Sequence, residues 1–241
     1  MYQQIIKQYL ERHGFEAFRP KAVLFDMDGV LYDSMPNHAV SWNRSMKQFG
    51  IVMPESDAYK YEGMRGVETI KLMAREQWNR ELTDDEAQRM YDVKSATFSA
   101  CPPAKKMKGV EALMRKIKAS GLTIGVVTGS GQRTLLSKLE HDFEGLVEER
   151  LMVTSFDVKH GKPNPEPYLM GLRKCNVEPW EAIVVENAPL GVRAAVAAHI
   201  FTVAVNTGPL PNEMLADEGA SIVFNSMDDF SAHWEALNDV R

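Results

Sequence analysis

The sequence predicts a doubly wound α/β fold with an all-helical block set into it, and three observations carry that expectation. Short Val/Ile-rich runs alternate with helical patterns from about residue 104 onward. Those runs are apolar without strict alternation, as strands of a parallel sheet covered on both faces are. Between the first such run and the rest, residues 35–103 hold no convincing strand pattern.

Taken in order, "MYQQIIKQYLERHGF" places Ile5, Ile6, Tyr9 and Leu10 at helical spacing and reads as a short amphipathic helix lying on the domain. It has too few consecutive apolar residues for a signal peptide, and no run in the chain approaches a membrane span. "KAVLFDMD" is the first strand. The helical block opens with "PNHAVSWNRSMKQFG", where Pro36 stands in the first turn, Val40, Trp42, Met46 and Phe49 share a face, and Gly50 is the stop. "VETIKLMAREQW" is a second helix, and "TDDEAQRMYDVKSATF" a third that begins on a capping box, Thr83 to Glu86. Chain continuity puts hinges near Ser34 and "PPAKKMKG", so the expected division is a core of residues 1–34 and 104–241 and an inserted domain of 35–103. Beyond it, "GVEALMRKIKASG" aligns Val110, Leu113, Met114 and Ile117 and stops at Gly121. "LTIGVVTG", "ERLMVTS", "AIVVEN", "IFTVAVN" and "SIVF" are the further strands, with helices at "QRTLLSKLEHDF" and "GVRAAVAA".

Composition narrows the function classes. The 241 residues are 44% hydrophobic and 25% charged, with a formal net charge of -5. Bulk charge of that sign attracts neither nucleic acid nor an anionic membrane, though it leaves room for a local basic pocket. Cys101 and Cys175 lie in no CxxC or Cys/His cluster and read as idle thiols in a reducing compartment, so a cytoplasmic location is expected. With no coiled coil or long exposed apolar stripe, a monomer is the expectation.

The first strand ends on Asp26 and Asp28, with Gly29 directly behind. In an open α/β sheet, ligands bind beyond the carboxyl ends of the strands. The period-two spacing sends both side chains the same way. One carboxylate can attack phosphorus while its neighbour handles the proton on the leaving group. Two acids this close repel unless a cation lies between them, which implies Mg²⁺. Alone, the pair reads equally well as carboxylates capping the next turn. Other strand ends shift the balance. "GVVTGSGQ" ends a strand on Thr128, followed by Gly129 and Ser130, whose hydroxyls and backbone N–H groups suit phosphoryl oxygens. "HGKPNPEPY" offers Lys162, a cation to offset the charge of a phosphoryl group under attack. "VVENAPLG" ends another strand on Glu186 and Asn187, both oxygen donors suited to Mg²⁺. "GSGQR" lacks the full GxGxxG pattern and a Walker lysine, and is not read as a nucleotide loop.

In this order, "DMDGVLYDS", "VVTGS", "GKPNPEPYL" and "VVENAPLGVRAA" resemble the four motifs of the haloacid dehalogenase (HAD) superfamily, over nearly the whole chain. The helical block is similar to the cap of its β-phosphoglucomutase-like branch. The resemblance implies a Rossmann-like, HAD-like core with an all-α cap, Asp26 as the nucleophile forming an aspartyl-phosphate, and Asp28 as general acid/base. It further implies Thr128 and Lys162 holding the phosphoryl group, and Glu186 and Asn187 joining Asp26 and the Asp28 backbone carbonyl around Mg²⁺, directly or through water. Asp28 separates the chain from true haloacid dehalogenases, which lack that acid and use no metal.

Two positions depart from the pattern. Asn187 stands where the family usually has Asp, so the site loses a negative charge. In the cap loop "KYEGMRGVE", Glu62 stands where β-phosphoglucomutases carry a sugar-phosphate-binding lysine, and the arginine expected a few residues later falls near Gly66. A carboxylate there repels a dianionic phosphate, but it can ligate or orient the metal and crowd out a bulky leaving group. Some members of the branch with this loop look like inorganic pyrophosphatases, so pyrophosphate or another small phosphate is the expected substrate. His38 and Lys94, on cap helices, are placed to contact the leaving phosphate. The alternative is a β-phosphoglucomutase, which Arg65 would favour if a one-residue loop shift returned a cation to the site. An idle phosphate-sensing relative of the fold would be expected to have lost the nucleophile, and Asp26 is present.

Overall fold

Six strands form one all-parallel sheet: β1 (Ala22–Phe25), β2 (Thr123–Val127), β3 (Met152–Val153), β4 (Ala182–Glu186), β5 (Phe201–Val205) and β6 (Ile222–Phe224), in the order β3-β2-β1-β4-β5-β6. The computed structural model describes residues 1–130 and 133–239; Gly131 and Gln132 of "GSGQR" lie outside them. From β1 the chain adds β2 and β3 on one side, then returns to add β4, β5 and β6 on the other. The order reverses between β1 and β4, where Phe25 pairs with Val185. A crevice at that reversal is where such sheets bind ligands.

The unbroken apolar runs are explained by burial on both faces. Val23, Phe25, Ile124, Val126, Ile183 and Val185 point to one side. There α1 (Tyr2–His13), α6 (Val110–Ala119), α7 (Arg133–Asp142) and α11 (Met227–Asn238) cover them with residues such as Ile6, Leu113, Leu139 and Trp234. Leu24, Val127 and Val184 point to the other side, under α8 (Glu166–Cys175) and α9 (Pro189–Ala197), against Tyr168, Leu172 and Ala194. Both cysteines are free thiols. No helix among the described residues is long and apolar enough to cross a membrane.

Between β1 and α6 the chain forms four helices: α2 (Met35–Gln48), α3 (Glu55–Lys60), α4 (Gly66–Trp78) and α5 (Asp84–Ser99). They enclose a separate core of Trp42, Met46, Ile51, Met53, Ile70, Met73 and Met90. Methionine, unbranched and polarizable, fills such irregular contacts well. The capping box is made in both directions: Glu86 N–H donates to Thr83 Oγ1 at 3.2 Å, and Thr83 N–H to Glu86 Oε2 at 2.9 Å.

Several elements differ from the sequence expectation, among them α10 (Asn212–Asp217) and α11, which follow β5 and β6 and were not anticipated. "ERLMVTS" yields only a two-residue strand, because Glu149–Leu151 curl into a 3₁₀ turn before it. The strand is at the sheet edge, where short pairing suffices, and the Lys174 ammonium donates to the Met152 carbonyl at 2.5 Å. Helix α3, six residues after Pro54, was not anticipated; it is too short to show a periodic apolar face.

Candidate active site

Helix α2 begins nine residues after Asp26 and carries the chain over the carboxyl edge of the sheet, so the helical block roofs the strand ends. A cavity of about 390 Å³ lies between them, lined by Asp26, Asp28, His38, Glu62, Lys94, Gly129 and Ser130 among others. Seven of the eleven expected site residues therefore share one space.

Asp26 extends the ladder of β1, its N–H donating to the Val185 carbonyl at 3.0 Å, and its side chain is buried. Lys162 reaches it from the loop before α8: the buried ammonium donates to Asp26 Oδ1, to Glu186 Oε1 at 2.7 Å and to the Val127 carbonyl at 3.3 Å. Burial opposes its charge, but Asp26 and Glu186 outweigh that and hold the ammonium above the usual lysine range. Burial pushes Asp26 up to about 7, against Lys162 and with help from Glu186 and Asp28. The phosphoryl position expected at Thr128 lies beside it. Thr128 is buried, its N–H on the Val153 carbonyl at 2.9 Å and its Oγ1 accepting from Ser130 N–H at 3.0 Å. Thr128, Gly129 and Lys162 line a second, small void adjoining the cavity.

Asp28 is held from the roof. Ser34 Oγ donates to its Oδ1 at 2.6 Å, and His38 Nε2 lies 3.4 Å from the same oxygen. His38 Nδ1 is 3.0 Å from Lys94 Nζ. An ammonium can only donate, so Nδ1 accepts and the ring proton sits on Nε2, aimed at Asp28. Burial would raise Asp28, but His38, Ser34 and Lys94 outweigh it and hold the carboxyl below the usual range. Lys94 is enclosed by Phe98 at 4.9 Å, Trp42 at 5.1 Å and Tyr91 at 5.9 Å. Its burial lowers the ammonium, while Glu62 and Asp28 support it. Glu62 enters from the loop between α3 and α4; burial, then Asp28 and Asp26, push its carboxyl up to about 8.

The donor set suits a hard cation. Asn187 Oδ1 is buried with no hydrogen-bond partner, an acceptor that costs free energy until something occupies it. It stands next to Gly29, whose φ of +81° brings the backbone so close that a Cβ there would sit 2.0 Å from Asn187 Nδ2. Asp26, Asp28 and Glu62 repel one another nearby, a repulsion that Lys162 and Lys94 offset only in part and that a bound cation would relieve. Among the described residues, no three His, Cys, Asp or Glu side chains gather at one metal position.

Glu186 is tied to its protein neighbours through both carboxylate oxygens. Its Oε1 accepts from Lys162 and, at 2.7 Å, from Tyr168 Oη; its Oε2 accepts from the N–H groups of Asn187 and Ala188 at 2.9 and 3.2 Å. At 1% exposure it also holds the Lys162 ammonium that grips Asp26. Arg65 does not line the main cavity; it borders the small void beside Thr128, Gly129 and Lys162, its Nη1 donating to the Lys159 carbonyl at 3.0 Å.

Sequence reasoning missed Ser34 as a partner of Asp28, the aromatic cage of Lys94, and Tyr168. The tyrosine is fully buried, with Lys162 Nζ 5.0 Å from its ring centre. A hydrogen bond to a charged group contributes about 1.5–3 kcal/mol, so Tyr168→Phe is expected to lower turnover about tenfold or more with the fold intact. Steady-state kinetics beside a thermal melt check this; unchanged kcat would leave Tyr168 as packing alone.

Residues 23–205 match the haloacid dehalogenase-like hydrolase family. A solved structure from Bacteroides vulgatus, provisionally named a beta-phosphoglucomutase, superposes with a TM-score of 0.95 at 51% identity, over 99% of this chain and 97% of that one. The phosphorylated carbohydrates phosphatase of Thermotoga maritima is 30% identical, over 75% of this chain and 82% of that protein. Hexitol phosphatase A of Escherichia coli is 27% identical, over 78% and 84%.

Proposed function

The chain belongs to the haloacid dehalogenase-like hydrolase family, and on that premise we propose that it is a Mg²⁺-dependent phosphohydrolase whose substrate is inorganic pyrophosphate or another phosphate with an equally small leaving group. An enzyme of phosphoryl transfer, phosphatase or phosphomutase, is the coarser statement that its relatives carry. One observation carries the finer one: Glu62 faces Asp26 and Asp28 across the cavity, where a sugar-binding branch member would present a cation. A carboxyl there narrows the space for a leaving group and, unlike a cation, gives a sugar phosphate no charge to bind.

In this reading the transferred phosphoryl group is received by Thr128 Oγ1, the Gly129 backbone and the Lys162 ammonium. Asp26 attacks phosphorus; the new O–P bond forms as the bond to the leaving oxygen breaks, and the leaving phosphate departs into the cavity beside His38 and Lys94. Asp28, kept in place by Ser34 and His38, supplies a proton to a leaving group that needs one. It then takes a proton from the water that attacks the aspartyl-phosphate, releasing orthophosphate and restoring Asp26. Asp26, the Asp28 carbonyl, Asn187 and Glu62 are the residues that would hold Mg²⁺, which when bound offsets the charge gathering on the phosphoryl oxygens. The helical block, residues 35–103, acts as a cap that keeps bulk water out while the phosphoryl group moves.

A second reading, β-phosphoglucomutase, has the provisional name of the Bacteroides vulgatus structure in its favour. The deciding experiment is phosphate release with Mg²⁺ from pyrophosphate, β-glucose 1-phosphate, glucose 6-phosphate and a hexitol phosphate, beside a coupled assay for glucose 6-phosphate formed from β-glucose 1-phosphate and a bisphosphate primer. The expected result is a kcat/KM for pyrophosphate at least about a hundredfold above any sugar phosphate. Efficient mutase flux with weak pyrophosphate cleavage would establish the second reading instead.

A further inference from the structure

The cap touches the core on either side of Met64. Gly63 rests on the stem of Lys162, so closely that a Cβ on Gly63 would lie 2.9 Å from Lys162 Cδ. Two residues on, Arg65 lies against Gly161, where a Cβ would lie 2.8 Å from Arg65 Cγ, and its guanidinium bonds the Lys159 carbonyl at 3.0 Å. The receiving loop is itself fixed. The N–H groups of Lys159 and His160 both donate to the Glu166 carboxylate at 2.9 Å, in the first turn of α8. Asp84, an acid whose charge Arg65 does feel, is already bonded to Lys71 and does not compete for the guanidinium. Glu62 precedes this double seat immediately, and α4 follows it with Arg65 as its N-cap residue.

From this geometry we infer that Arg65 is a positioning residue for substrate size: by seating the cap loop on Lys159 and Gly161 it fixes how far Glu62 enters the site. Arg65 touches no reacting atom; it acts through Glu62 and Gly63. The inference rests on reading Glu62 as the selector for a small leaving group. Without the guanidinium bond the loop keeps only the packing of Gly63 on Lys162 and of the residue-65 stem on Gly161, the seat is occupied a smaller fraction of the time, and the cavity admits a larger leaving group at the expense of a small one.

Arg65→Met keeps the stem over Gly161 and removes the donor; Arg65→Lys keeps a donor; Gly161→Ala lifts the stem from the core side. For each, kcat and KM are measured with Mg²⁺ for pyrophosphate and for p-nitrophenyl phosphate, a bulky ester that either reading of the enzyme should cleave. In Arg65→Met, kcat/KM for pyrophosphate is expected to fall and that for p-nitrophenyl phosphate to rise, moving their ratio by about tenfold, as loss of one charge-assisted hydrogen bond allows. Arg65→Lys restores most of the ratio. Gly161→Ala moves it the same way, and combining it with Arg65→Met moves it no further, since both open one seat. Parallel losses on both substrates, or an unmoved ratio, would overturn the inference. Should the unaltered protein release no phosphate from pyrophosphate, the substrate reading fails alone; a gain on p-nitrophenyl phosphate in Arg65→Met still decides the role of Arg65.

Discussion

Asp26→Asn is expected to abolish multiple turnover, lowering kcat by about a thousandfold or more, as loss of a covalent nucleophile does. The amide keeps the shape of the carboxylate and one acceptor for Lys162, while Glu186 continues to balance the ammonium, so the protein should still fold. What disappears is, among the described residues, the only buried carboxylate that both faces the cavity and is gripped by the cation expected to steady the phosphoryl group. Two measurements check this together: phosphate release under steady state, and intact-protein mass after a brief acid quench with substrate. The unaltered protein should gain the mass of one phosphoryl group and the variant none. Full turnover in Asp26→Asn would exclude an aspartyl-phosphate at this position.

Glu62→Lys should invert substrate preference. The substitution exchanges a carboxylate that Asp28 and Asp26 repel for a cation that they attract, at a position already bordering the substrate space. Pyrophosphate turnover is expected to fall about a hundredfold, because the new ammonium competes for the carboxylates that would hold Mg²⁺ and no longer excludes a larger group. Turnover of β-glucose 1-phosphate or glucose 6-phosphate should rise about tenfold, the cation meeting the second charge of a sugar phosphate. The ratio of kcat/KM values across these substrates, compared between the two proteins, reads the effect directly. A ratio that stays fixed while both activities drop would place Glu62 among residues needed for any substrate and remove it as a selector.

Much of this molecule is legible in the sequence because parallel sheets announce themselves. Strands buried on both faces must be apolar throughout, so the polar residue that ends each run stands out, and Asp26, Thr128 and Glu186 were found that way. The helical block was legible for a complementary reason: Trp42, Met46 and Phe49 recur at helical spacing, and the Thr83–Glu86 box marks a start. What escaped depends on three-dimensional partners. Nothing in "GKPNPEPYL" says that Tyr168 will bond Glu186 rather than simply pack, since its spacing on α8 fits either. Ser34 sits at a hinge, and only the reversal of the chain there brings it to Asp28. Glu186 occupies its expected strand end, and its further bonds to the backbone N–H groups of Asn187 and Ala188 are recorded by no motif. Arg65 is the sharpest case: its charge suggested the cavity, whereas the turn into α4 sends it to the Lys159 carbonyl.

The ionic knot of Asp26, Lys162 and Glu186 has a practical bearing on how this enzyme can be disarmed for study. Removing the lysine would strand two anions in a dry interior, a disruption that costs about 3–5 kcal/mol where buried pairs have been broken elsewhere. An inactive reference protein is therefore better sought at the nucleophile, where charge can be withdrawn from the knot without orphaning an ion, than at Lys162, where silence in an assay and failure to fold would look alike.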